Sequence, residues 1–540
     1  MRRRRFDNLS VTPSHFGAPR AATLDGRRSP RSPTWLGMAS ARLRSQTIGL
    51  SLIVLDKESA ESLRGQVYRR LRDAILAQQL RAGYRLPSTR AVADTLGVSR
   101  NTVADVFAQL VAEGYLVARR GSGTFVAALA PALESPPARD TQTSWERAST
   151  RGKLFEAMLQ SRRLSDASPI PFRPGMPALD LFPFDVWSRI AGKIMRRPAP
   201  ELISYGDPAG YRPLREIVAA QLRASKGIAC NVEQILILGG SQQALDLICR
   251  LALDPGDEVW VEEPASPSLR ATYAGGGAAI VPVTVDAEGL CVERGRALAP
   301  RARLAHVTSA HQWPLGITMS APRRAELLAW ADEADAWIVE DEYDGVFRYD
   351  TEKPAPLRAL DRNERVLWTG SFSVTTFPAL RIGYLIAPPK LVDAFVAAKA
   401  AADRQTSTFE QAILADFMYD GHYARHLRRM HEVYAERQAR VMRALEEHAG
   451  LSAVAAASGL HVLVPLEAAT DDARITQRAG AEGVVAPPLS RYYVADPPRR
   501  GLLLGFGLAG APTTDSAVRR LARHLPRARP LHRASRDLPG

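Results

Sequence analysis

The 540-residue chain has only three cysteines, Cys230, Cys249 and Cys291. They lie far apart and fit neither a zinc-ligand spacing nor a disulfide framework, so we read them as thiols of a reducing compartment and expect no metal. No apolar run approaches the roughly 18 residues that a membrane-crossing helix needs, which excludes a helical membrane protein. The opening MRRRRF is not followed by an apolar segment of secretory length, and we expect no signal peptide. A cytoplasmic protein is the expectation. With 46% hydrophobic residues there is material for a large core, and the length exceeds one compact domain.

Most of the chain also lacks net charge, although the whole carries +14. Residues 1–50 contribute +8 and residues 519–540 contribute +6, while 51–127 carry +4 and 128–518 carry −4. A basic segment beside a large, slightly acidic one predicts a nucleic-acid module joined to something else. Residues 1–50, rich in Arg, Ser, Pro and Gly without apolar periodicity, read as a disordered basic extension. Residues 128–168 read as a linker, 169–525 as the large domain and 526–540 as a disordered tail.

Within 51–127 the pattern is helical. Leu63, Val67, Leu71 and Ile75 recur on one face. Ser88 is placed to cap a short helix ending at Gly97, and Ser99 to cap a second, RNTVADVFAQLVAEG, with Val103, Phe107 and Leu110 inward. Two short helices joined by LGVS form a helix-turn-helix whose second member would enter a major groove N-terminus first, bringing Arg100, Asn101 and Thr102 to bases and phosphates. YLVARR and TFVA, separated by GSG, predict a hairpin wing. Arg119 and Arg120 flank its tip, and Gly121 and Gly123 permit close approach to a phosphate backbone.

The ordered set LPSTR, LGVSRNTV, EGYL and RRGSGTFV resembles the winged helix-turn-helix (α+β) of the GntR family. The resemblance implies that Arg90, Ser99, Arg100, Thr102 and the wing residues Arg119, Arg120, Gly121, Ser122, Gly123 and Thr124 contact a double-stranded operator.

Beyond residue 168, β-type runs such as ILIL (235–238), VWVE (259–262), AWIVE (336–340) and RVLWTG (365–370) alternate with helical patterns. That rhythm predicts an α/β domain with a mostly parallel sheet. FRPGMPALDLFPFDVW, YGDPAGYRPLREIV, GGSQQALDLICRLALDPGDEVWVEEP, HQWPLGITMS, EDEYDGVFRY and GSFSVTTFPALRIGYL follow in one order. Together they resemble the fold-type I aminotransferase-like domain of the MocR-type regulators. The resemblance implies pyridoxal phosphate (PLP), a homodimer and an effector that is PLP, a PLP–amine adduct or an amino acid-like molecule.

GGSQQ opens a helix after a strand, so Gly240, Ser241 and Gln242 can offer backbone N–H groups to a phosphate. Asp341 would pair with a protonated pyridine nitrogen and Tyr343 reach the ring hydroxyl; Arg381, assisted by Ser371 and Ser373, is the implied phosphate partner. The family pattern G-[ST]-F-S-K-T-x-x-P-x-L-R-x-G-Y lacks only its lysine here. Val374 stands in that place, 33 residues after Asp341, so no residue is expected to be catalytic and PLP is expected to bind at best non-covalently. Lys353 and Lys390, nearest in sequence, lie outside the motif. Ser266 occupies the position where the family commonly has an aromatic to stack on the cofactor. The leading expectation is a regulator with a ligand-sensing body. A DNA-binding protein whose large domain is only a dimer scaffold is the main alternative, and an active aminotransferase the lesser one.

Overall fold

The computed structural model describes residues 54–128 and 171–526 except 351–353, 456, 495–496 and 509, together with residues 149 and 152. The chain divides into two compact units, residues 1–141 and 142–540. The expected basic extension, nearly all of the expected linker and all but the first residue of the expected tail lie outside the described residues.

In the first unit, α1 (Leu63–Leu76), α2 (Thr89–Leu96) and α3 (Arg100–Ala112) precede an antiparallel hairpin of β1 (Leu116–Arg119) and β2 (Gly123–Val126). Both serine caps form. Ser88 Oγ accepts from Ala91 N at 3.2 Å and Ser99 Oγ from Thr102 N at 3.1 Å, each satisfying a helix-start donor. Gly97 ends α2 at φ +65°, the left-handed region that suits glycine. Val67, Leu71, Ile75, Val103, Phe107 and Leu110 are buried in one core. Tyr84 lies alongside β2, and backbone hydrogen bonds fix the wing there: Val126 N donates to Tyr84 O and Gly83 N to Val126 O, both at 2.9 Å.

The second unit is built on an eight-stranded sheet of order β3-β10-β9-β8-β7-β4-β5-β6. Its strands are β3 (Ile235–Leu238), β4 (Glu258–Glu263), β5 (Ala279–Asp286), β6 (Gly289–Leu290), β7 (Leu304–Val307), β8 (Trp337–Glu342), β9 (Val366–Ser371) and β10 (Gly383–Ile386). The run β5-β4-β7-β8-β9 is parallel, while β10 is antiparallel to both neighbours. Alternation sends Ile235 and Ile237 into one apolar layer and Leu236 and Leu238 into the other, which is why ILIL has no polar residue. The first layer packs on α4 (Arg212–Lys226) and α6 (Thr408–Tyr419), the second on α5 (Ser241–Ala252). A third core joins α7 (His422–Ala449) and α8 (Ala511–Ala522) to the two-stranded sheet of β11 (His461–Leu466) and β12 (Arg500–Gly505).

One expected boundary shifts. The strand anticipated over 336–340 runs on through Glu342, because Asp341 and Glu342 keep their register opposite Thr369 and Gly370. Asp341 is therefore held by the sheet rather than by a loop.

Candidate nucleic-acid interface and ligand pocket

On the first unit the sequence-predicted contacts are at the surface. Arg90, Ser99, Arg100, Asn101, Arg119, Arg120, Gly121, Ser122 and Gly123 are exposed, and Thr102 and Thr124 are half-buried. Arg100 and Asn101 open α3, so the positive end of that helix and a guanidinium face the same solvent. Ser99 is committed to the cap, and its hydroxyl also lies 2.8 Å from Thr102 Oγ1. The Arg119 guanidinium sits over the Phe125 ring at 5.1 Å, bracing it on the wing. At the tip Gly121 and Gly123 adopt φ +74° and +108°. A Cβ at Gly123 would stand 3.1 Å from Arg85 Nε.

In the second unit the GGSQQ turn leaves β3 and enters α5 at Gly240, with φ +107° and no side chain capping the helix. Arg381 reaches this turn: its Nη2 donates to Gly239 O at 2.7 Å, and a Cβ on Gly240 would lie 2.6 Å from that atom. Arg381 itself holds φ +53°, a left-handed conformation uncommon for a side chain of this size. Gln242 donates to Thr272 Oγ1, and Gln243 ties Gly239 N to Asp403. Gly239, Gln242, Thr272 and Arg381 line one open cavity of about 540 Å³. An uncapped helix start beside an arginine has the polarity that favours an anion.

Asp341 accepts from Thr369 Oγ1 at 2.9 Å on one oxygen, and its other oxygen is 3.9 Å from His306 Nε2. Burial pushes its carboxyl up to about 6, and burial pushes the His306 imidazole down to about 3, so His306 is neutral and supplies no compensating charge. Tyr343 OH lies 2.9 Å from His311 Nδ1. Burial carries the phenol well above its usual range, so it stays protonated. Ser371 Oγ accepts from Ser373 N at 3.1 Å and both are half-buried.

Val374 is 8% exposed and belongs to the third core with Phe347, Tyr434 and Val462. Ser266 is half-buried at the start of helix Pro267–Gly276. A cavity of about 820 Å³ is lined by Lys226, Glu342, Trp368 and Tyr384; of the eight sequence-predicted ligand residues it takes in only Ser371. Neither this cavity nor the one beside Gly239 takes in Asp341 or Tyr343. Sequence reasoning missed His306, Thr369, His311, Asp344 and His461. Only HQWPLG and the acid-rich EDEYDG hinted at two of them.

A winged-helix reader and a fold-type I aminotransferase body therefore share one chain. The family of bacterial regulatory proteins named gntR matches residues 63–126, and aminotransferase class I and II matches residues 183–504. The chain is 37% identical over 459 residues to the probable rhizopine catabolism regulatory protein MocR of Rhizobium meliloti, covering 84% of this chain and 92% of that one. It is 32% identical over 474 residues to the transcriptional regulator TauR of Rhodobacter capsulatus, covering 86% and 96%. Among solved structures it is similar to Pyrococcus horikoshii kynurenine aminotransferase, with TM-score 0.64, 28% identity, and 71% and 98% of the two chains covered. The chain belongs to the MocR-type regulators: it is a DNA-binding transcription regulator with an aminotransferase-like domain. No helix among the described residues is long and apolar enough to cross a membrane.

Proposed function

We propose that this regulator works in the cytoplasm as a homodimer that reads a two-half operator and senses PLP, a PLP–amine adduct or an amino acid-like ligand without turning it over. Arg90, Arg100, Asn101, Thr102 and the wing from Arg119 to Thr124 carry the operator contacts. Gly240, Ser241, Gln242, Ser371, Ser373 and Arg381 hold the phosphate, Asp341 the pyridine nitrogen and Tyr343 the ring hydroxyl. Bound PLP supplies an electron-withdrawing ring, but turnover needs a side-chain amine to anchor it and move a proton. At Val374 that amine is a hydrocarbon, and this one observation carries the reading. The polar set fits the non-covalent part of the cofactor: a bare helix start near a guanidinium, and a half-buried carboxylate lacking a cation.

Exposed Met195, Ile203, Tyr205 and Tyr419, on or beside helices that pack together, support a second copy as the partner of this face. A ligand that binds one dimer arrangement better than another would shift the paired readers, which is the coupling a sensor requires.

Asp341→Asn tests the pocket. The folded carboxyl titrates near 6, above the unfolded value of about 3.9, so its contribution to stability is complete below the unfolded value and is lost as pH rises through 6. At pH 8 the ionised group costs stability in the empty pocket. The asparagine variant should therefore be more stable than the parent at pH 8, by on the order of 1–3 kcal/mol, with the difference shrinking through pH 6 and nearly gone only below about pH 4. PLP should raise the melting temperature of the parent and not of the variant. An equal PLP response in both chains would remove Asp341 from the site, and no response in either would favour a body that only holds the dimer together.

A further inference from the structure

Three side chains far apart in sequence meet beside Tyr343. His311 lies in the loop after β7, Asp344 two residues past β8, and His461 begins β11; they are 1%, 3% and 2% exposed. One donor atom from each falls within 4.8 Å of the other two. Bonds of about 2.0–2.2 Å in a tetrahedral site set its ligand atoms roughly 3.3–3.6 Å apart, so His311 Nδ1, 2.9 Å from Asp344 Oδ1, needs to part from it by only a few tenths of an ångström.

The hydrogen bonding inside the cluster is incomplete. His461 Nε2 donates to the Pro314 carbonyl at 3.1 Å, which fixes the tautomer and leaves Nδ1 as a bare lone pair. That Nδ1 is buried with no partner, and so is His311 Nε2. His311 Nδ1 must meanwhile serve both Asp344 and the Tyr343 hydroxyl, each at 2.9 Å. Buried polar atoms are rarely left in this condition without a reason.

The backbone makes room for the cluster. Gly459 passes it at φ +81°, and a Cβ there would lie 2.2 Å from Asp344 Oδ2 and 2.4 Å from His311 Cε1. The Trp313 ring edge rests on His461 with centroids 4.7 Å apart. A backbone carbonyl orienting a ring whose other nitrogen is bare is the usual outer support of a metal-binding histidine.

We propose that His311, His461 and Asp344 bind a divalent first-row transition ion of the zinc class. Two neutral imidazoles and one carboxylate suit Zn²⁺ and Co²⁺ rather than Mg²⁺ or Ca²⁺, which prefer all-oxygen sites. The ion takes the lone pairs of His461 Nδ1 and of His311 Nδ1, the latter ring carrying its proton on Nε2. It clips β11 to the loops after β7 and β8, and so fixes the segment carrying Tyr343. The inference is independent of whether PLP binds.

The test uses the full-length chain without an affinity tag, stripped with chelator and kept free of PLP. Titration with Co²⁺ should give a visible d–d band saturating at one ion per chain, and Zn²⁺ should bleach it. Zn²⁺ should also raise the melting temperature by several degrees. His461→Ala and the more conservative Asp344→Asn should each weaken Co²⁺ binding roughly a hundredfold or more. His448→Ala, an exposed histidine on α7, should leave it unchanged. Absence of a saturating band and of any Zn²⁺-dependent melting shift in the parent would overturn the site. So would a band of equal strength in Asp344→Asn and His461→Ala.

Discussion

Val374→Lys, incubated with PLP and freed of excess ligand, should retain an imine absorbance that borohydride abolishes; the parent chain should retain none. On the function proposed above, position 374, 33 residues beyond Asp341, takes the place of the cofactor lysine. The side chain there is 8% exposed among aromatic and aliphatic neighbours. A lysine in such surroundings loses hydration, which lowers its pKa and raises the fraction present as a nucleophilic free amine. The same burial costs stability, on the order of a few kcal/mol for an unpaired amine. We therefore expect the variant to melt below the parent without PLP and to recover with it. A variant that folds, as judged by its operator binding, and still forms no imine would place residue 374 outside the cofactor's reach.

The second large effect concerns DNA. Arg100→Ala should weaken operator binding by about 1–3 kcal/mol, roughly tenfold to a hundredfold, in a mobility-shift titration at fixed salt. Arg100 opens α3 on the exposed face and has no packing duty there, so the loss should come without a change in melting temperature. Replacing Arg119 and Arg120 together should act differently. Arginines that hold phosphates at a wing raise affinity for all sequences alike, and the salt slope should fall by about one for each phosphate no longer neutralised. Unchanged affinity in Arg100→Ala would remove α3 as the recognition helix.

The reader was legible because its signals are local. Ser88, Ser99 and Gly97 each act within one helical turn, and all three perform their expected capping roles. The central sheet was legible for a similar reason: ILIL and its counterparts are short apolar runs whose burial on both faces needs no long-range knowledge. What escaped was whatever depends on strands meeting. Asp341 looked like a loop residue because an acid after AWIVE breaks the apolar pattern, yet pairing with β9 carries the strand past it. His306 reaches Asp341 only because β7 and β8 are parallel neighbours. His311, Asp344 and His461 come from three separate elements, and no spacing rule applied along the chain could have joined them. The charge of residues 1–50 and 527–540 falls outside the described residues, and the structural case for the reader rests on its caps and its wing.

Any covalent anchor would have to come from another lysine. The chain has seven lysines. Lys399 is fully buried and bonded to Asp403, while Lys226 pairs with Glu342 in the large cavity.

Intact-mass analysis of the native chain after PLP and borohydride weighs the central claim most directly. We expect the unmodified mass for the native sequence and one added pyridoxyl group for Val374→Lys. A pyridoxyl group fixed stoichiometrically on any of the native lysines would show that the body has kept a covalent anchor and is equipped for chemistry after all.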